Sequence, residues 1–300
     1  MRIDKNIQTR LELTFRTLSA RGAAKSFPPP GTLATALEKV INPSGKSSFT
    51  LKDTYQTTVH LDISKWFTTA AIEMWLRAVH SFLISASLTN VSPIWASVSG
   101  YYSSHYSIRA IAHLLGYFQL FRYRQIVRLE LQGATNDFVC TFESKDGSSR
   151  EHVFYWKVVY KNSYFSSDPL FILNNSQSGD DASDSGHREK SNYADHLFEL
   201  PQFNPLDSVT LQNRVKYISQ IPFSTPPIPR RSKFPDIESV QIVAYHRLVR
   251  FRQFVDEIAG GSNRFWSVHR DPSWTRGFID FQLIEQGGLR SSPITERIHT

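Results

Sequence analysis

Thr89-Asn-Val-Ser-Pro93 interrupts about sixty residues that otherwise repeat with a helical period. Upstream of the break, Trp66, Ala70, Met74, Ala78 and Phe82 recur every four residues. That spacing predicts one long helix from Lys65 to about Leu88, capped by Asp62 or Ser64. Downstream, the pattern predicts a second helix from about Ala96 to Phe121. Two long helices with so short a link fold back on each other, so an antiparallel helical hairpin is expected. In the second helix, Tyr101, Ile108, Ala112 and Leu115 can form one buried stripe. His105, Arg109 and His113 recur every four residues and make a second line. Such a line is either a site or a polar seam between helices.

The flanks carry shorter signals. Residues 5–20 read as an amphipathic helix with Ile7, Leu11, Phe15 and Leu18 on one face, stopped by Phe27-Pro-Pro-Pro-Gly31. A short helix is expected over Thr32 to Val40, before Asn42-Pro-Ser-Gly45. Residues 46–61 alternate weakly, as extended or irregular chain. After the helical pair the period changes to two. Val127, Leu129 and Leu131 alternate with Ile126, Arg128 and Glu130, and Phe138, Cys140 and Phe142 alternate with their neighbours. Lys145-Asp-Gly-Ser148 reads as a hairpin turn, and Val153 to Tyr160 is dense in aromatic and β-branched residues. Two or three antiparallel strands are therefore expected. Residues 174–192 have almost no apolar content and read as a flexible loop. Helical character resumes over 193–198, 208–218 and 237–258, the last with Val240, Val243, Leu248, Phe251 and Val255 inward and Gly260-Gly261 as its cap.

The fold class expected is mainly α with a small antiparallel β insertion, α+β. Its divisions are an N-terminal helical segment 1–61, the helical pair 62–122 and a β-meander insertion 123–173. The flexible loop 174–192 and a basic helical region 193–300 packed on the bundle complete it.

Bulk composition narrows the function. The formal net charge is +7, which favours acidic partners such as nucleic acid or an acidic protein face. A lone cysteine, Cys140, rules out an internal disulfide framework and a cysteine zinc cluster, and a reducing cytoplasm is its simplest setting. Met1-Arg-Ile-Asp-Lys-Asn lacks an apolar signal core, and no run reaches the roughly 18 apolar residues of a spanning helix. No membrane association, metal or cofactor is expected. The chain has no Gly-x-Gly-x-x-Gly, phosphate-binding loop, His-Glu-x-x-His or Gly-x-Ser-x-Gly. Asp180, Asp181 and Asp184 fall in the polar loop and read as solvating.

The run Tyr101-Tyr102-Ser103-Ser104-His105-Tyr106-Ser107-Ile108-Arg109-Ala110-Ile111 resembles the signature helix of the HEPN superfamily, a group of helical nucleotide-binding domains. Trp75-Leu-Arg-Ala-Val-His80 fits the partner helix, so the resemblance covers about residues 62–122. It implies an antiparallel helix bundle and one of two roles. Many such domains are metal-independent endoribonucleases of antiphage and toxin–antitoxin systems. They use an Arg followed by a His after four to six residues on a late helix. Others lack that motif and act as binding partners.

This chain departs from the nuclease pattern. Arg109 and His113 are separated by three residues, and no His follows Arg214 in the required window. The literal match, Arg264-Phe-Trp-Ser-Val-His269, lies beyond Gly260-Gly261. If the chain is a nuclease, the candidate catalytic groups are His105, Arg109, His113, Arg264 and His269. Arginine would hold a phosphate while histidine moves a proton near neutral pH.

For nucleic-acid binding, Arg247, Arg250 and Arg252 interleave with aromatics, and Arg230, Arg231 and Lys233 form a second basic cluster. Either set can equally be a solvated face. Tyr101, Tyr102 and Tyr106 can stack on bases, or be core residues with satisfied hydroxyls. The leading expectation is a component of a prokaryotic antiviral-defence or toxin–antitoxin type system that binds RNA, DNA or an operon-encoded protein without an intact nuclease motif. The alternatives are a metal-independent endoribonuclease and a structural subunit, as homodimer or hetero-complex. In the last, Phe265, Trp266, Trp274 and Phe278 would form the interface.

Overall fold

The computed structural model describes residues 3–19, 32–45, 54–120, 125–132, 137–144, 151–172, 208–222 and 237–259. They are mostly helical, with a small antiparallel sheet. In chain order the elements are α1 (Lys5–Ser19), α2 (Thr32–Ile41), β1 (Tyr55–Val59), α3 (Leu61–Leu88) and α4 (Pro93–Leu114). There follow β2 (Tyr117–Leu120), β3 (Gln125–Gln132), β4 (Asp137–Ser144), α5 (Glu151–Lys161), α6 (Pro169–Ile172), α7 (Ser208–Ser219) and α8 (Ile237–Ala259). Two compact units share this chain. The first comprises Met1–Glu73, Arg109–Ser166 and Ile258–Asp271; the second comprises Met74–Ile108, Ser167–Glu257 and Pro272–Thr300.

The first unit is built on the sheet, whose strand order is β1-β4-β3-β2 with every pair antiparallel. The period-two pattern sets its faces. Val127, Leu129 and Leu131 of β3 stand beside Phe142, Cys140 and Phe138 of β4 on the buried side. Leu33, Ala36, Leu37 and Ile41 of α2 and Ile63, Phe67 and Ala70 of α3 complete that core. Their spacings place each set on one side of its helix. The sheet draws strands from both sides of the helical pair, so it extends beyond residues 123–173.

Two local expectations are corrected. Val153 to Tyr160 is helix α5, not a strand. Phe154, Tyr155 and Val159 are its buried residues, and the 155/159 spacing is helical. Tertiary burial of that face overrides the strand preference of aromatic and β-branched side chains. The second long helix also ends at Leu114 rather than near Phe121, because Gly116 turns the chain with φ of +92° into β2. Lys145-Asp-Gly-Ser148, the helix expected at 193–198 and the loop 174–192 lie outside the described residues.

The second unit is helical. Ser103 Oγ donates to the Ala78 carbonyl at 2.8 Å, and Ser85 Oγ to the Ala96 carbonyl at 2.6 Å. Position numbers rise on one helix as they fall on the other, so α3 and α4 are antiparallel, as the short link requires. The ring pairs Trp75–Phe251 and Phe82–Tyr245 order α3 against α8 in the same sense. Trp75 Nε1 donates to the Leu248 carbonyl at 3.1 Å. A Cβ on Gly100 of α4 would lie 2.6 Å from Val240 Cγ1, so only glycine allows this approach of α8.

Candidate functional site: the histidine–arginine row of α4

His113 occupies the last turn of α4 and is 0% exposed. Its Nδ1 lies 2.8 Å from the Tyr117 carbonyl oxygen. A carbonyl only accepts, so Nδ1 carries the ring proton. Nε2 is then the acceptor, and Arg109 Nε donates to it over a long 3.4 Å. Phe118 lies beside the imidazole, and Tyr155 meets it edge-on at 5.5 Å. Burial, helped by the Arg109 charge, pushes the His113 pKa down to about 3. The ring is therefore neutral at physiological pH and held in one tautomer.

Arg109 is half-buried, with its guanidinium 5.2 Å from the Tyr155 ring centroid. The Tyr155 hydroxyl accepts the backbone N–H of Gln119 at 3.1 Å. Arg109, His113 and Tyr155 thus tie the end of α4 to β2 and α5 within the first unit. His105 belongs to the second unit. It is buried, stacked almost parallel on Tyr101 and tilted against Tyr106. Tyr101 is a core residue, while Tyr102 and Tyr106 are half-buried and tilted against each other.

This geometry suits joining elements more than moving protons. A general acid–base histidine must reach substrate and titrate near the working pH. His113 is sealed from solvent and stays neutral far below pH 7.

The α8 arginines are engaged inside the second unit. Arg247 is 0% exposed and donates through Nε and Nη2 to the Leu170 carbonyl at 3.2 and 2.6 Å. Arg250 pairs with Asp168 at 2.8 Å and reaches Glu257 at 3.6 Å. Arg252 is buried beside Asp256, with Nε and Oδ2 3.8 Å apart. Arg230, Arg231, Lys233, Arg264 and His269 lie outside the described residues, as do Asp180, Asp181, Asp184, Phe265, Trp266, Trp274 and Phe278. Among the described residues no cluster of acids, histidines and cysteine is arranged to hold a metal ion.

Sequence reasoning missed Tyr155, which anchors the row from α5, and the Tyr117 carbonyl, which sets the His113 tautomer. The fourfold spacing of His113 and Tyr117 was a usable signal, but reading helix through Phe121 hid it.

No known protein family matches the chain, and neither a curated protein nor a solved structure resembles it.

Proposed function

We propose that this chain is a binding module rather than a nuclease. In this reading it is an HEPN-like helical pair that binds RNA in a prokaryotic antiviral-defence or toxin–antitoxin type system. The observation that carries the reading is His113, neutral and sealed within the one row of α4 that could have supplied a catalytic pair. The antiparallel pairing of α3 with α4 supports the helical resemblance. The net charge of +7 supports an anionic macromolecule as partner. Cys140, buried in the sheet core with no other cysteine in the chain, supports the cytoplasm as its setting. Among the described residues no helix is long and apolar enough to cross a membrane.

The test is fluorescence anisotropy of a labelled single-stranded RNA in chelator, titrated from about 50 to 300 mM salt, followed by sizing of the RNA. The expected result is binding whose logarithm falls linearly with the logarithm of salt, with the RNA intact. Cleavage that His113→Ala or His269→Ala abolishes overturns the reading in favour of a ribonuclease. Absence of RNA binding, with a stable complex formed by a neighbouring gene product, overturns it in favour of a protein-binding subunit.

A further inference from the structure

A cleft of about 560 Å³ opens within the first unit, and Arg10, Tyr117, Arg128, Glu130, Lys161 and Asn162 are among the residues that line it. Arg10 is 1% exposed. Its Nη2 donates to the Leu114 carbonyl, and its Nη1 lies 3.4 Å from Ser64 Oγ. Ser64 Oγ is 2.6 Å from Thr14 Oγ1, which spends its own proton on the Arg10 carbonyl at 2.7 Å. Ser64 is therefore the donor to Thr14 and the acceptor from Arg10. Every group touching this guanidinium is neutral. No carboxylate pairs directly with Arg10 among the described residues; burial pulls its pKa down to about 10, with Glu130 opposing that shift only through space. A buried cation with no directly paired carboxylate is costly.

The acids that line the cleft are already committed. Glu130 holds Arg128 at 2.9 Å. Asp4 Oδ1 caps α1, accepting from the Asn6 and Ile7 N–H groups at 2.9 and 3.2 Å. Lys161, exposed at the end of α5, forms no ion pair among the described residues. Three cations, Arg10, Arg128 and Lys161, thus line the cleft against two acids, Asp4 and Glu130, which leaves one positive charge in excess. We propose that it binds a small molecule through an oxyanion group, phosphate or carboxylate, placed against Arg10 and reached by Lys161. The volume exceeds that of a bare ion, so the rest of the molecule would lie beside Tyr117, which hydrogen-bonds Arg128, and Asn162, whose Oδ1 already accepts the Tyr164 N–H at 3.0 Å. The inference does not depend on RNA binding.

The experiment titrates the full chain with inorganic phosphate and, separately, with acetate, at constant ionic strength set by chloride. Heat of binding and melting temperature are both read. Saturable binding of at least one anion is expected. Phosphate alone points to a phosphate ester, acetate alone to a carboxylic acid, and both to any small oxyanion. Lys161→Ala is expected to weaken binding about fivefold without moving the ligand-free melting temperature. Arg10→Lys is expected to weaken it more than about tenfold, because a single ammonium replaces a planar fork. If Arg10→Lys does not fold, the Lys161 variant decides alone. No saturation with either anion up to about 50 mM, or unchanged affinity in Lys161→Ala, overturns the proposal.

Discussion

Gly116→Ala sets two costs against each other within one substitution. Gly116 has φ of +92°, a conformation that L side chains rarely adopt. Forcing alanine there costs about 1–2 kcal/mol. The added Cβ would also lie 2.5 Å from the Leu129 carbonyl oxygen, which is backbone and has no rotamer to escape into. That carbonyl belongs to the residue whose N–H bonds the Gly116 carbonyl at 2.7 Å, so relief means displacing β3 against the turn. Overpacking of this kind adds about 1–3 kcal/mol. Stiffening of the unfolded chain returns about 0.4–1 kcal/mol. The net loss is about 1–4.6 kcal/mol.

Gly45→Ala isolates the first cost, because Gly45 has φ of +66° and nothing within 4 Å of its Cβ position. That variant should lose at most about 1.6 kcal/mol. Urea unfolding of both variants beside the parent, with midpoint and slope fitted together, measures the difference. Equal losses at the two glycines would refute the close approach of β3 to the α4–β2 turn.

Acid stability follows from His113, whose folded pKa of about 3 lies below its ordinary 6.5. The unfolded chain takes up the proton first, so this contribution is intact above about pH 6.5 and is lost as pH falls toward 3. Between pH 7 and pH 5 the loss attributable to His113 is about 2 kcal/mol, read as the difference between parent and His113→Asn in urea unfolding at each pH. Equal pH slopes in the two proteins would contradict it. Trp75→Phe removes the donor to Leu248 and part of the stack on Phe251. It should cost about 2–3 kcal/mol by chemical unfolding, and a loss under about 0.5 kcal/mol would mean this contact does not hold α3 to α8.

Helix was legible in the sequence wherever one apolar face spans several turns. Leu11, Phe15 and Leu18 of α1 and all five inward positions expected in α8 are buried. The β3 alternation was equally readable, because Val127, Leu129 and Leu131 are buried while Ile126, Arg128 and Glu130 are half-buried; in β4, Val139 and Thr141 are buried as well as Phe138, Cys140 and Phe142. Legibility failed where local preference and tertiary demand diverge. The α5 residues favour strand by type, yet Tyr155 is needed at the end of α4 and beside Gln119, and a helix delivers it there. The α4–β2 turn was hidden because its only marker is one glycine among apolar neighbours. The His105, Arg109 and His113 line was visible as a pattern, but spacing says nothing about solvent or charge state. Arg10 stood in plain view beside Leu11, a cation on the apolar face of α1, and was passed over because amphipathic patterns are read from their apolar members.

The ¹⁵N chemical shifts of the His113 ring from about pH 4 to pH 8 test its neutral state most directly, with His113→Asn assigning the signal. The expected spectrum shows a protonated Nδ1, an unprotonated Nε2 and no titration across the range. A midpoint near the ordinary histidine value, with both nitrogens protonated below it, would contradict the account and return His113 to the list of groups able to move a proton in catalysis.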